Sequence, residues 1–209
     1  MLDFGFYNMD CMEGMKQFPD KYFDLAIVDP PYGINNSKAS ATDRIMRYGQ
    51  LNTVNADRMT KEFFVELCRA SKNQIIFGFN YLCDILPPTK EFIFWYKHQP
   101  VITYADGELA WTSFNSTAKC FDFPYHGGVG RDKERIHPTQ KPVALYKWLL
   151  RCYAKEGDKI LDTHVGSASS LIACYDMGFN YVGFEIDEEY YRQATKRLEE
   201  EKAQVRWTW

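Results

Sequence analysis

Neither sign of charge dominates this chain: 25 Lys and Arg stand against 28 Asp and Glu, for a formal net charge of −3. That balance lacks the basic field carried by tight, non-specific binders of nucleic acid. No apolar run approaches the length needed to span a bilayer, and the N-terminus has no signal-peptide layout. Both absences argue against a membrane role and point to the cytoplasm. The six cysteines, at positions 11, 68, 83, 120, 152 and 174, form no CxxC pair and no framework spacing. The expectation is a reduced, cytosolic protein with buried thiols and no metal site. Internal repeats and low-complexity tracts are also missing. What is present is 209 residues that are 45% apolar, enough for one good core and too few for a second domain of ordinary size.

Apolar periodicity predicts a single alternating α/β unit, residues 1–209, with a mostly parallel sheet and helices on both faces. Strands are expected at Phe23–Val28, Gln74–Phe79, Glu91–Lys97, Glu108–Phe114, Lys119–Phe123, Lys159–Asp162 and Tyr181–Ile186. Helices are expected near Met12–Phe18, Thr60–Ser71, Val143–Ala154, Ser169–Met177 and Glu188–Lys202. Aromatics concentrate in the middle third, and core strands are their first explanation.

Asp29-Pro30-Pro31-Tyr32, followed by Gly33, stands directly after the first of these strands. Proline fixes its own φ, lacks an N–H and biases the preceding residue away from the helical region, so the tetrad leaves the strand extended. An ionised Asp29 and the Pro30 carbonyl are acceptors only, suited to holding both hydrogens of one exocyclic NH2. Tyr32 offers a face on which a flat ring can stack, as enzymes acting on extruded bases require. The plainer reading is a proline-rich turn with Asp29 as a local cap.

Two downstream blocks have physical readings of their own. Asp162-Thr163-His164-Val165-Gly166-Ser167-Ala168-Ser169 joins a buried strand to an apolar helix through small residues. A turn of that kind aims backbone N–H groups at a ligand and lets it approach; an ordinary tight βα turn has the same composition. Glu185, ending the next strand about twenty residues on, lies where an acidic side chain reaches a ribose diol. Asp187 is better read as the N-cap of the last helix. The second block, His137-Pro138-Thr139-Gln140-Lys141-Pro142, precedes a helix that Thr139 would cap.

Asp-Pro-Pro-Tyr after an apolar strand resembles the catalytic motif of the amino-methyltransferases that act on DNA bases. The opening stretch Asn8-Met9-Asp10-Cys11-Met12-Glu13 agrees, and the two later blocks follow in the order of the circularly rearranged group of these enzymes. The resemblance runs from about residue 4 to about residue 198. It implies a Rossmann-like, S-adenosylmethionine-dependent fold that methylates DNA, with Asp29, Pro30, Pro31 and Tyr32 catalytic. It implies cofactor contacts from Asp10, Asp162, Thr163, His164, Gly166, Ser167, Ala168, Ser169 and Glu185, with His137, Thr139 and Lys141 at the methionine end. Ala168 stands where a second glycine is usual, and His164 where an aromatic is more frequent; alanine permits close approach only with a negative φ. In this family Asp at the head of the motif goes mostly with adenine N6 and Ser with cytosine N4. Adenine is therefore favoured, with cytosine N4, an RNA base or a catalytically silent binder as alternatives. No Pro-Cys dipeptide occurs, so the thiolate attack of cytosine-C5 enzymes has no obvious nucleophile.

Two basic loops remain. Lys38, Arg44, Arg47 and Arg58 fall in a strandless stretch, and Arg131, Lys133 and Arg135 follow Gly127-Gly128-Val129-Gly130. Singly each reads as a solvated side chain; together, Lys38, Arg44, Arg47 and Arg131 are candidate phosphate contacts. On this reading 33–58 is a flexible loop and about 97–136 a minimal target-recognition region. So small a region leaves room for a second subunit, a homodimer, to help contact the site.

Overall fold

A computed structural model describes residues 1–33, 58–100, 105–125, 135–137 and 139–204. Lys38, Arg44, Arg47, Arg131 and most of the 33–58 loop lie outside them. Within the described residues eight strands form one sheet: β1 (Gly5–Asn8), β2 (Phe23–Val28), β3 (Ser71–Phe77), β4 (Phe92–Tyr96), β5 (Gly107–Thr112), β6 (Lys119–Asp122), β7 (Lys159–Asp162) and β8 (Asn180–Glu185). Among the described residues five α-helices pack on it: α1 (Cys11–Met15), α2 (Lys61–Ala70), α3 (Val143–Tyr153), α4 (Ser169–Asp176) and α5 (Glu188–Ala203). The strand order is β1-β8-β7-β2-β3-β5-β4-β6. Every pairing is parallel except those of β5 with β3 and β4. The sheet is therefore mostly parallel with one reversed strand.

Alternation along the strands divides the core. From β2, Ala26 and Val28 join Met15 of α1 and Phe63 and Leu67 of α2 on one face. Leu25 and Ile27 join Leu145 and Leu149 of α3 and Ala173 of α4 on the other. A third cluster ties α4 to α5 through Leu171, Ile172, Ala194 and Leu198. This is the expected Rossmann-like layout, with both sheet faces covered.

Most predicted elements match to within a few residues, with four differences. β1 was not anticipated: at four residues it is too short to show periodicity, and it forms by pairing with β8. The expected helix over Thr60–Ser71 is shorter, because Thr60 is its N-cap, accepting from the Phe63 N–H at 3.2 Å, and Ser71 already begins β3. Thr139 does not cap α3; that position is Pro142, with no side-chain cap bond. The thiols are mostly not buried. Cys83, Cys120 and Cys152 are exposed and only Cys174 is fully buried. Cys120 points outward because it alternates with buried Phe121 on an edge strand.

Candidate active site

The strand order reverses between β7 and β2. From β2 the chain steps to β3 on one side, and from β7 to β8 on the other. The crevice outside the carboxyl ends at such a point is where open α/β sheets take ligands. Asp29 follows β2 directly, the loop 163–168 follows β7, and Glu185 closes β8. Because β5 is reversed, its first residues, including Glu108, arrive at the same edge, opposite Trp95 near the end of β4.

On the β2 side, Asp29 is engaged at both oxygens. The Tyr32 hydroxyl donates to Oδ1, and the Lys141 ammonium donates to Oδ2. The Tyr32 ring stacks on Tyr81, with centroids 5.3 Å apart. It lies so close over Gly78 that a Cβ there would come within 2.0 Å of it, and Gly78 has φ +78. Burial, with Asp29 beside it, raises the Tyr32 hydroxyl well above its usual range, so it stays a donor. Lys141 is 4% exposed, lies over the Phe77 ring at 4.7 Å, and has Glu108 Oε2 at 3.2 Å. Glu108 is paired in turn with Lys97, whose ammonium covers Trp95 at 4.4 Å. Burial pushes Glu108 up, but Lys141 and Lys97 outweigh it and hold it well below the usual carboxylate range. Burial likewise pushes Lys141 down and is outweighed by Asp29 and Glu108, so it remains charged. The result is a chain of alternating charges, Asp29, Lys141, Glu108 and Lys97. Sequence reasoning missed Glu108 and Lys97; the only signal was a charged residue at each strand end bordering an aromatic run.

On the β7 side the loop holds itself in shape. Asp162 accepts from the His164 N–H at 2.9 Å and from the Ser170 hydroxyl, and burial raises it to about 7. The N–H groups of Val165 and Ala168 bond to Phe184 and Val165 carbonyls. Gly166 N–H donates to Glu185 Oε2 at 2.9 Å, and Asp187 N–H to Oε1 at 3.0 Å. Much of the loop's N–H inventory is thus spent internally, and its contribution is shape more than donors. Asp187 is the N-cap of α5, accepting from Tyr190 N–H at 2.9 Å. Arg197 of α5 donates to the Ser167 carbonyl at 2.6 Å and to Ser169 Oγ at 2.9 Å. Ala168 adopts φ +63. The negative φ required of an alanine is therefore not what occurs: the left-handed geometry a glycine would supply is kept, and the side chain bears the strain.

His164 stands edge-on to Phe63, with Thr163 Oγ1 2.9 Å from its Nδ1. His137 packs against Tyr190, and Thr139 bonds back to its Nδ1. Burial lowers both imidazoles to about 4, so both are neutral near pH 7. The charge of Asp29 acts on both and on Asp162, which places the two halves of the crevice within electrostatic reach. Asp10 is the N-cap of α1, its Oδ1 accepting from Met12 and Glu13 N–H, and its charge also acts on His164. Pro30 is buried and Pro31 half-buried, with the Pro31 carbonyl taken by the Met59 N–H at 3.0 Å.

An acidic strand end beside a small-residue loop, with each Glu185 oxygen accepting one backbone bond and keeping a lone pair, fits the ribose and backbone of a nucleoside cofactor. Facing it are the Asp29 carboxylate and the Tyr32 ring. Fold and site together define a nucleoside-cofactor group-transfer enzyme. The model of the N6/N4 DNA methylase family matches residues 61–196, and the chain belongs to that family, whose methyl donor is S-adenosylmethionine. The chain is similar to the type II methyltransferase M.HpaI of Haemophilus parainfluenzae, with 23% identity over 92% of this chain and 73% of the other. Among solved structures it resembles an M1.HpyAVI complex with SAM, at TM-score 0.61 and 22% identity over 92% of this chain and 98% of that one. It also resembles the cytosine-N4-specific PvuII DNA methyltransferase, at TM-score 0.62 and 14% identity over 97% and 91%. These structural likenesses establish the fold. Among the described residues no helix is long and apolar enough to cross a membrane.

Proposed function

We propose that the chain methylates adenine N6 in DNA, on a base turned out of the helix, and that Asp29 holds the amino group. The observation that carries this reading is the position of Asp29 at the β7/β2 switch point, directly across from the cofactor loop. The exocyclic nitrogen is a poor nucleophile while its lone pair is delocalised into the ring. Acceptors on both its hydrogens favour the tetrahedral geometry in which that lone pair is available. Asp29 is one acceptor; since Pro31 is engaged by Met59, the other in this reading is the Pro30 carbonyl. Tyr32 keeps the carboxylate oriented and flanks the ring. As the nitrogen gains positive charge, Asp29 faces it, the arrangement that most lowers a barrier of this kind. Asp29 or water takes the proton lost from the methylated nitrogen.

S-adenosylmethionine, when bound, supplies a methyl group made electrophilic by its sulfonium. Glu185 would accept from the ribose diol, while Gly166, Ser167 and Ala168 give room along the cofactor, and Asp162, Thr163, His164 and Ser169 set the loop's shape. His137 and Thr139 border its methionine end. Holding both reactants in line contributes about 7–11 kcal/mol in favourable cases. The basic residues Lys38, Arg44, Arg47 and Arg131 would meet DNA phosphates from the 33–58 loop and the 97–136 recognition region, with a second subunit completing that surface. The test is mass spectrometry of nucleosides from unmethylated DNA incubated with the cofactor and either wild type or Asp29→Ala. N6-methyladenine is expected with wild type alone. N4-methylcytosine in its place would reassign the base, and equal N6-methyladenine from both proteins would remove Asp29 from the reaction.

A further inference from the structure

The Asp29 carboxylate described above already holds a nitrogen with hydrogens to give. The Lys141 ammonium donates to Oδ2 and the Tyr32 hydroxyl to Oδ1. A target amino group gripped at Oδ2 of Asp29 meets the Lys141 ammonium on the same oxygen and competes with it, and a buried ammonium stripped of its partner is strongly disfavoured. The structure holds a second acceptor in reach. Glu108 Oε2 is buried and lacks a bond of hydrogen-bonding geometry, although the Lys141 Nζ is only 3.2 Å away. Its sister oxygen is committed to Lys97. A buried carboxylate oxygen that is ion-paired with an ammonium but not hydrogen-bonded to it, while that ammonium bonds elsewhere, is half of a switch.

We propose that Glu108 is a positioning residue for methyl transfer: it receives the Lys141 ammonium when the target amino group claims Asp29. The proposal rests on the reading of Asp29 given above. Lys141 keeps its proton throughout and no covalent bond changes; one charge-assisted hydrogen bond is exchanged for another over a short rotation of the lysine side chain. Lys97 holds Glu108 still and balances its charge while this occurs. Phe77 beneath the ammonium offers a face in either position. Without Glu108, Lys141 has nowhere buried to go and competes with the base for Asp29.

The measurement is a double-mutant cycle on the single-turnover rate of tritiated methyl transfer to unmethylated plasmid DNA, at saturating S-adenosylmethionine. Glu108→Gln keeps the shape and removes the charge. The expected result is a rate at least tenfold lower, with the calorimetric Kd for the cofactor changed less than threefold. In a Lys141→Met background the same Glu108→Gln change is expected to cost less than threefold, because no ammonium then competes for Asp29. Equal losses in both backgrounds, or a loss confined to cofactor affinity, would overturn the proposal. If Glu108→Gln does not fold, Glu108→Asp supplies the same cycle: it retains the charge but withdraws it from Lys141, and an intermediate, Lys141-dependent loss is expected. Should Asp29→Asn methylate at the wild-type rate, the reading of Asp29 itself fails, an outcome separate from any result at Glu108.

Discussion

Between Asp162 and Ser170 the loop beneath the proposed cofactor site is held by neighbours: Asp162 to His164 and Ser170, Ser167 to Ser169, Gly166 to Glu185. Around Asp29 the decisive partner, Lys141, stands 112 positions along the chain, and Glu108 reaches the site only because β5 runs backwards. The first region and His137 beside it bury their ionisable groups, with the two imidazoles lowered to about 4 and the Asp162 carboxyl raised to about 7. The second stores them as opposed full charges. A loop bonded to its own neighbours keeps one shape, whereas an alternating chain of charges can exchange partners.

The largest effects should separate the two regions. Asp29→Asn is expected to lower the transfer rate by about 10²–10³-fold, the usual loss on removing one electrostatic group at the reacting centre, while the Kd for S-adenosylmethionine stays within threefold. Glu185→Gln should do the reverse, weakening cofactor binding about tenfold for one lost charge-assisted bond while the rate at saturation is retained. Calorimetry paired with single-turnover kinetics reads both, and a mixed pattern in either variant would erase the division.

Acid stability sharpens the contrast. For His137 and His164, each lowered to about 4, the unfolded chain binds two more protons than the native one between about pH 4 and 6.5; Asp162, raised to about 7, offsets one of them. From these three groups stability should therefore rise with pH across that window, by about 1.4 kcal/mol per unit for the one remaining proton. His164→Phe should flatten this slope, as urea midpoints at pH 5 and pH 6 would reveal. A slope unchanged in the variant would mean that His164 is not held neutral.

The smallest effect concerns Ala168, which at φ +63 carries strain that glycine would not. Ala168→Gly relieves about 1–2 kcal/mol of left-handed strain, less the entropy of the more flexible residue, about 0.5–1 kcal/mol. A Tm a few degrees higher is expected by calorimetry. A lower Tm would show that the methyl group's packing in the buried cluster with Leu171 and Val165 outweighs the strain.

How much was legible in advance follows the same division. The strand–loop–helix from Lys159 to Asp176, Glu185 at its strand end and Asp187 as a cap depend on contacts within about twenty residues, and they were read in place. So was the Asp29 tetrad, because proline's fixed φ acts locally. Asp10, an acidic residue of the opening block, caps α1 through its Oδ1. The block 137–142 was placed by order along the chain, yet Lys141 lies against Asp29 and Glu108, which no local pattern encodes.

The sequence alone determined the α/β unit, the turn that presents Asp29 and the small-residue loop after β7, since backbone preference and apolar period act over a few positions. Only the tertiary structure decided that β5 is reversed, that Glu108 and Lys97 therefore reach the edge where Asp29 lies, and that Lys141 pairs with the Asp29 carboxylate. Ion pairs in a buried crevice depend on which strand ends meet, and strand order is set by packing across the whole sheet.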